Sequence, residues 1–204
     1  MTKGPYDTLY RAKGIVWGDS PGRMVGAAVK RIKTPGRALD IGCGDGKNIS
    51  FLERRGWIVD GLDISNLAKH SFLERCRMER RRHRGCYEIL DCNYWTPRKE
   101  YYDLVICYGL MHCLIRDVHV RNLLERMRFT LKRGGIVAIA VLNDSHPMPA
   151  GHGTTQLFLR RGLVYVGLFS KLNILTVKHG KIKEKHEPVI STHMHGVTWA
   201  LLQK

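Results

Sequence analysis

The sequence lacks the features that carry a protein into or across a membrane. No apolar run in its 204 residues approaches the length needed to cross a bilayer. Residues 1–6 do not have the apolar core of a secretory signal peptide. The sequence therefore predicts a soluble, cytoplasmic protein that has no membrane partner.

Paired cysteines are also missing. None of the six cysteines forms a CxxC pair, and most of them lie in apolar, strand-like runs. A thiol in such a run behaves as a small core hydrophobe. This usage indicates a reducing intracellular compartment and argues against a disulfide framework.

Acidic residues are scarce, with 18 Asp and Glu against 34 Lys and Arg, for a net charge of +16. Such a surplus attracts nucleic acid, anionic lipid or acidic substrates, but it does not indicate which of them is the substrate or which reaction takes place. The densest basic stretch, residues 74–84, lacks the interleaved aromatic residues that stack on bases. We interpret it as the end of a helix over Leu67–Arg84, with a phosphate-binding face as the alternative.

The most informative stretch is residues 38–46, Ala-Leu-Asp-Ile-Gly-Cys-Gly-Asp-Gly. It predicts a strand, a tight glycine turn and a helix N-terminus, where a ligand can approach the main chain. Asp40 and Asp45 flank the glycines, so a diphosphate would meet carboxylates where a dinucleotide turn offers amides. The turn therefore suits a ligand with cationic groups, such as S-adenosylmethionine, better than NAD.

The same residues, D-I-G-C-G-D-G, resemble the first motif of class I S-adenosylmethionine-dependent methyltransferases. The resemblance implies that S-adenosylmethionine is the cofactor and S-adenosylhomocysteine the product. It implies cofactor contacts at Asp40, Gly42, Cys43 and Gly44. An ordinary strand-to-helix turn in an unrelated α/β protein is the alternative.

Two further predicted strands end in acids. A strand over Trp57–Asp63 places Asp63 where a carboxylate accepts hydrogen bonds from both ribose hydroxyls, beside Ile64. Capping of the next helix is the competing interpretation of Asp63. A third strand ends at Asp91 and Cys92. By resemblance, the Asp91 carboxylate accepts from the adenine amine and the Cys92 amide donates to a ring nitrogen.

The fourth predicted strand, Tyr101–Cys107, lacks the N/D-P-P-Y/F turn of methyltransferases that act on base amines. Its sequence, D-L-V-I-C-Y-G-L-M-H-C-L, is similar to tellurite-resistance, thiopurine and other small-molecule methyltransferases. The resemblance implies that Cys107 offers its carbonyl to the cofactor ammonium, followed by Tyr108. It also implies that His112 lies near the cofactor as a catalytic candidate, although a buried structural histidine is the alternative.

Five predicted strands alternate with helices, including a helix over Asp117–Thr130 and a fifth strand over Ile136–Leu142. This order predicts an α/β fold with parallel strands and right-handed crossovers. With two extended tail segments, the resemblance implies a Rossmann-like, doubly wound, seven-stranded sheet with an antiparallel C-terminal strand. One domain over 1–204 is expected: a leader (1–33) over the cleft, a cofactor-binding core (34–142), and a substrate loop with terminal strands (143–204).

Substrate residues are predicted in the least familiar stretches. Loop aromatics Tyr6, Tyr10 and Trp17 either close the site or pin the leader to the body. The loop over 143–155 follows the fifth strand, where such sheets bind ligands, and offers Asp144 and His146 as candidate bases and His152 as a substrate contact.

The tail brings histidines together. His193 and His195 share one face of a strand, and His179 and His186 lie on the neighbouring segment. Three interpretations are open for these histidines: a metal site, a pH-sensitive surface, and a wall of the substrate pocket at the far end of the sheet. We take His193 and His195 as substrate candidates and predict no metal, because separated histidines without an HExxH helix are weak evidence for one.

We therefore predict in-line methyl transfer from S-adenosylmethionine to a small-molecule acceptor through sulfur, oxygen, nitrogen or a chalcogen. The alternatives are a methyltransferase acting on RNA or a protein side chain, and a non-catalytic S-adenosylmethionine-binding module.

Overall fold

The computed structural model describes residues 6–147, 158–169, 171–186 and 190–204. Within these residues the helices are α1 Asp7–Lys13, α2 Arg23–Arg31, α3 Lys47–Glu53, α4 Asn66–Met78, α5 Asp117–Thr130 and α6 Gly162–Leu168. The strands are β1 Arg37–Ile41, β2 Ile58–Asp63, β3 Tyr87–Ile89, β4 Tyr102–Tyr108, β5 Leu131–Asn143, β6 Asn173–His186 and β7 Ile190–Gln203. None of the described helices is both long and apolar enough to traverse a bilayer.

The seven strands form one sheet in the order β3-β2-β1-β4-β5-β7-β6. Strands β1 to β5 pair in parallel, and β7 runs antiparallel to both β5 and β6. The predicted doubly wound α/β sheet is confirmed. Strand order reverses between β1 and β4, and the carboxyl ends of strands at such a switch point border a ligand-binding crevice.

Apolar side chains alternate across the sheet and form a core on each face. Leu39 and Ile41 of β1 join the core covered by α5 and α6, whereas Ala38 joins the core covered by α2, α3 and α4. Buried side chains on both faces explain why the central strands read as nearly continuous apolar runs.

The leader is more ordered than the sequence indicates. Residues Asp7–Lys13, expected as a loop, form α1, in which Leu9 and Tyr10 are buried. Asp7 accepts a hydrogen bond from the hydroxyl of Ser65 at the start of α4. A seven-residue helix has little intrinsic stability, so this packing stabilises it and local sequence does not reveal it.

The basic stretch after α4 was predicted to be the end of a helix, and this prediction is wrong for its second half. Helix α4 ends at Met78, and Arg80 takes a left-handed conformation with φ of 50°. The chain then turns back to Glu53, whose carboxylate accepts hydrogen bonds from Arg81 and His83. Burial raises the pKa of Glu53, but these hydrogen bonds and charges outweigh it and lower that pKa. Part of the basic stretch is therefore an internal charge cluster.

Boundaries elsewhere differ in smaller ways. Strand β3 covers three residues, whereas the sequence predicted a strand from Cys86 to Cys92. Strand β4 continues one residue beyond the predicted end at Cys107. The division into leader, core and terminal segments stays a prediction.

Candidate active site

A cavity of about 1150 Å³ lies at the carboxyl edge of the parallel strands. Its walls come from the glycine turn and from the segments that follow β2, β3 and β4: residues 42–44, 62–65, 90–94 and 108–110. Residues of the leader, α3, α5, β5, β6 and β7 also line it. The topology thus brings four separate strand ends to a single cavity.

The glycine turn supplies bare main chain to this cavity. Gly42, Gly44 and Gly46 have φ values of 73°, 55° and 77°, which disfavour other residue types. A Cβ atom on Gly44 would lie 2.5 Å from the Tyr10 hydroxyl. The turn therefore requires glycine both for its conformation and for the close packing of the leader above it.

Asp63 presents a fixed carboxylate at the end of β2. One oxygen accepts a hydrogen bond from the Gly44 amide and the other from the Ser65 amide, each at 2.9 Å. Burial raises the pKa of Asp63, against the effect of these amides. The Ser65 side chain caps α4 by accepting from the Ala68 amide at 3.0 Å, so the helix does not need Asp63 as its cap. Asp63 and its neighbour Ile64 both line the cavity.

Asp91 and Cys92 also line the cavity, after β3. One Asp91 oxygen accepts from both the amide and the side chain of Asn93, at 2.8 and 2.9 Å. The Cys92 carbonyl accepts from Arg126 at 2.8 Å, while its thiol is buried. These contacts fix the segment to which the sequence assigns the adenine ring.

Two expected cofactor residues lie beneath the wall of the cavity. Asp40 and Cys107 have no exposed surface and do not line the cavity, whereas Tyr108 and Gly109 do. The Tyr108 hydroxyl accepts from the Met24 amide at 3.2 Å. Burial raises the pKa of Asp40 to about 7, although the Asn48 side chain lowers it. The cavity is thus lined from Tyr108 onward, one residue after the Cys107 that the sequence predicted.

Asp45 anchors the leader. Its Oδ2 accepts hydrogen bonds from the amides of Val16 and Trp17, at 2.7 and 2.9 Å. Its Oδ1 lies 3.2 Å from a guanidinium nitrogen of Arg75, a residue with 2% of its side chain exposed. Arg75 also donates to the Gly18 carbonyl at 2.7 Å. The second acid of the motif therefore fastens the leader to the glycine turn, a role that the sequence did not indicate.

The three leader aromatics lie together over the cavity. The Trp17 indole nitrogen donates to the Tyr10 hydroxyl at 2.8 Å, and Tyr6 and Trp17 meet edge to face at 5.3 Å. Of the two roles expected for Tyr6, Tyr10 and Trp17, their position fits closing the site.

His112 interacts through both of its ring nitrogens. The Leu142 amide donates to Nδ1 at 3.2 Å, and Nε2 lies 3.0 Å from the Tyr6 hydroxyl oxygen. Because a backbone amide only donates, Nδ1 accepts, and the proton of the neutral ring is on Nε2. His112 then donates to Tyr6. The geometry fits a residue that positions Tyr6, and the role of His112 as a catalytic candidate stays a prediction.

Comparisons with known proteins agree with this arrangement. Residues 39–137 match the family model described as a methyltransferase domain. The chain carries a methyltransferase domain over these residues. A search of curated proteins by sequence finds no match.

Solved methyltransferases share the fold of this one. TehB from Haemophilus influenzae aligns with a TM-score of 0.74 at 17% identity, over 98% of this chain and 67% of TehB. A Burkholderia thailandensis 1,6-didemethyltoxoflavin-N1-methyltransferase, solved with 1,6-didemethyltoxoflavin and S-adenosylhomocysteine, gives 0.73 at 14% identity over 98% and 85%. Phosphoethanolamine N-methyltransferase 2 from Haemonchus contortus gives 0.68 at 18% identity over 98% and 56%. Identities this low show the fold alone.

The cavity has features that fit S-adenosylmethionine, the cofactor implied by the resemblance of residues 40–46. The fixed carboxylate of Asp63 can accept from two ribose hydroxyls, and the glycine turn leaves the main chain open to the ligand. The buried carboxyl of Asp40 lies beneath the wall, where a bound cation would favour its ionised form.

The structure does not bring the two loop candidates to the cavity of the methyltransferase. Asp144 is exposed and its amide donates to the Arg160 carbonyl, and neither Asp144 nor His146 lines the cavity. His152 lies outside the described residues. The position of a loop in the topology fixes the edge of the sheet but not the direction of a side chain.

His193 and His195 stand beside the cavity and do not line it. Their neighbour Glu184 does line it and was missed at the sequence level. Glu184 lies in a polar, lysine-rich strand, so its partners become recognisable only through the pairing of β6 with β7.

Proposed function

We propose that this methyltransferase transfers the methyl group of S-adenosylmethionine to a small-molecule acceptor by in-line displacement at a sulfur, oxygen, nitrogen or chalcogen atom. The observation that carries the proposal is the size and cover of the cavity. Its volume of about 1150 Å³ exceeds the roughly 300–1,000 Å³ of common ligand pockets, so it has space for the cofactor and a small acceptor. The fastened leader covers this space.

The structural neighbours support a small acceptor. Two of them were solved with S-adenosylhomocysteine together with a small molecule, 1,6-didemethyltoxoflavin in one and phosphomonomethylethanolamine in the other. Their identities of 14% and 18% carry no assignment of the same acceptor to this protein. They support the general arrangement of a cofactor and a small acceptor within one cavity.

Each part of the cofactor is assigned to the residues that line the corresponding part of the cavity. We assign the ribose to Asp63, the adenine to Asp91 and Cys92, and the methionine part to the turn at Gly42 to Gly44 and to the end of β4 at Tyr108. The bound cofactor supplies an electrophilic methyl group on its sulfonium. Holding the acceptor atom in line with that group can supply much of the acceleration, because orientation replaces a bimolecular encounter.

We assign the binding of the acceptor to the Tyr6 hydroxyl. Burial raises the pKa of Tyr6, so its phenol keeps its proton at neutral pH. A neutral phenol binds and orients an acceptor by hydrogen bonding and does not act as a strong base. His112 holds the Tyr6 oxygen in place. A general base is needed only where the acceptor retains its proton at neutral pH.

The test is methyl transfer from radiolabelled S-adenosylmethionine to purified thiols, phenols, amines and oxyanions, with tRNA and total protein as macromolecular acceptors. The proposal predicts label in at least one small molecule, and Asp63→Asn should lower this labelling at S-adenosylmethionine concentrations that do not saturate the variant. Label in tRNA or protein alone would overturn the small-molecule assignment.

RNA or a protein side chain is the second candidate acceptor, because the chain has a net charge of +16. Exposed Arg23, Lys181 and Lys183 lie at the border of the cavity. An RNA substrate predicts an affinity that falls steeply with salt, as counterions are released from phosphates. Binding that is independent of salt favours the small acceptor.

We further infer a single domain over residues 1–204 and a reducing, cytoplasmic location. Support for the location comes from the six cysteines, which are all free thiols.

A further inference from the structure

Three potential metal ligands lie on one face of the β6–β7 hairpin. Glu184 of β6 pairs directly with His193 of β7, and His195 follows two residues later. Side chains of directly paired residues, and of residues two apart on a strand, share a face. The Nε2 atom of His195 lies 3.7 Å from Oε2 of Glu184, and the two imidazole rings meet edge to face at 4.7 Å.

The cluster is shielded and borders the active site. His193 is 9% exposed and His195 2%, while Glu184 is partly buried and lines the cavity. One ligand atom from each of the three residues can be chosen so that all lie within 4.8 Å of one another. The cluster therefore combines low exposure with access from the cavity.

The chemistry of the donors indicates the class of ion. Two imidazoles and one carboxylate suit zinc and neighbouring divalent transition metals, whereas magnesium and calcium prefer oxygen ligands alone. Zinc sites with three protein ligands leave a position open for water or substrate. Bonds of about 2.0–2.2 Å in a tetrahedral site put ligand atoms about 3.3 Å apart. Small side-chain rotations would bring the present atoms to that spacing.

We propose that Glu184, His193 and His195 bind a divalent transition-metal ion of the zinc class at the wall of the cavity. Lys47 is the competing partner, because the charge of Glu184 raises the pKa of Lys47 against the larger, lowering effect of burial. If Glu184 serves only as the counter-ion of Lys47, the protein will not take up metal at this cluster.

The site has a consequence for the acceptor, which rests on the proposed function. An ion held in part by Glu184 adjoins the space available to the acceptor. Its open coordination position favours an acceptor with an anionic oxygen or sulfur donor, such as a phenolate, a thiolate or a carboxylate. The metal site would then select the acceptor and hold it in place.

The experiment is a titration of the full-length protein, stripped with a chelator, with Co²⁺ followed by visible absorption, in the absence of S-adenosylmethionine. The site predicts one equivalent of tightly bound Co²⁺ that Zn²⁺ displaces. Glu184→Gln keeps the shape of the side chain and is expected to weaken binding at least tenfold. His195→Gln is expected to do the same. His179→Gln is the matched control, because His179 lies on the opposite face of β6, where its Nδ1 is 3.0 Å from Thr198.

Substoichiometric uptake, or equal uptake by wild type and Glu184→Gln, would overturn the metal site. So would a loss in His179→Gln equal to that in the cluster variants. Thermal unfolding of each variant shows whether it is folded, and Glu184→Gln decides the case if the more buried His195→Gln does not fold. Calorimetry with S-adenosylhomocysteine separates the two proposals: failed metal uptake with intact cofactor binding rejects only the metal site, and the reverse result rejects the proposed function.

Discussion

The hydroxyl of Tyr6 lies 3.0 Å from Nε2 of His112, although the two residues are 106 positions apart in the sequence. This contact joins the leader to the segment after β4. The Leu142 amide orients the same imidazole from the end of β5. Segments at the ends of two strands therefore position Tyr6, and the leader lines the candidate active site.

Replacing Tyr6 by Phe is expected to lower kcat about 10- to 100-fold, because the acceptor loses the hydrogen bond that orients it, and a hydrogen bond to a charged group contributes roughly 1.5–3 kcal/mol. Affinity for S-adenosylhomocysteine should change little. Steady-state kinetics and calorimetry measure the two effects. Tyr101→Phe is the matched control, since Tyr101 packs against Arg37 away from the cavity.

Coupling between Tyr6 and His112 gives a separate prediction. If His112 acts by positioning the Tyr6 hydroxyl, His112→Gln should lower kcat in wild type and have little further effect in Tyr6→Phe. A double-mutant cycle measures this. Fully additive losses would show that His112 acts independently of Tyr6.

Replacing Asp63 by Asn is expected to weaken S-adenosylhomocysteine about 10- to 100-fold, because the ribose hydroxyls lose a charged acceptor. Calorimetry provides the dissociation constant. Asp60→Asn serves as the control on the same strand, because Asp60 accepts from Cys86 and Tyr102 away from the active-site cavity. Equal binding by Asp63→Asn and wild type would remove the ribose assignment.

Asp45→Asn should destabilise the protein and loosen the leader. The buried guanidinium of Arg75 would lose a charged partner, and breaking a buried pair costs about 3–5 kcal/mol. The low end is expected here, since Asp19 also accepts from Arg75 at 2.7 Å. Chemical denaturation measures the free energy of unfolding, and limited proteolysis reports on the leader.

The control for Asp45 is the exposed ion pair of Arg77 with Glu74, which lies on α4, the helix that also carries Arg75. Glu74→Gln should cost less than about 1 kcal/mol. If both substitutions cost the same, the anchoring role of Asp45 is wrong.

Asp40 should make stability depend on pH. Its pKa is raised from 3.8 to about 7 by burial, so the folded protein binds this proton more tightly than the unfolded chain does. The contribution is therefore fully present below about pH 4 and is lost as the pH rises to about 7. The free energy of unfolding of wild type minus that of Asp40→Asn should fall across this range. A difference that stays constant with pH would contradict the raised pKa.

Sequence reasoning succeeded where the signal is local. Helix Asp117–Thr130 has its predicted ends, and the strand predicted before the glycine turn is β1. Buried apolar runs and amphipathic spacing determine such elements, and glycines with positive φ determine the turn at Gly42 to Gly46. The placement of Asp63 at the cavity was also predictable, because Asp63 ends a parallel strand and such ends border the ligand-binding crevice.

The remaining features depend on partners that are distant in sequence. Asp45 looks like a ligand-facing acid until the amides of Val16 and Trp17 reach it. Helix α4 ends early because the following chain turns back to Glu53. The cluster around Glu184 depends on the register of β6 against β7, which the single sequence does not specify.

The most direct test of a small-molecule methyltransferase is to give the purified protein labelled S-adenosylmethionine with three separated fractions of a cell extract: small metabolites, RNA and protein. The account predicts label in the small-metabolite fraction, with a lower rate of labelling in Tyr6→Phe and Asp63→Asn and little dependence on salt. Label confined to the RNA or protein fraction would contradict it.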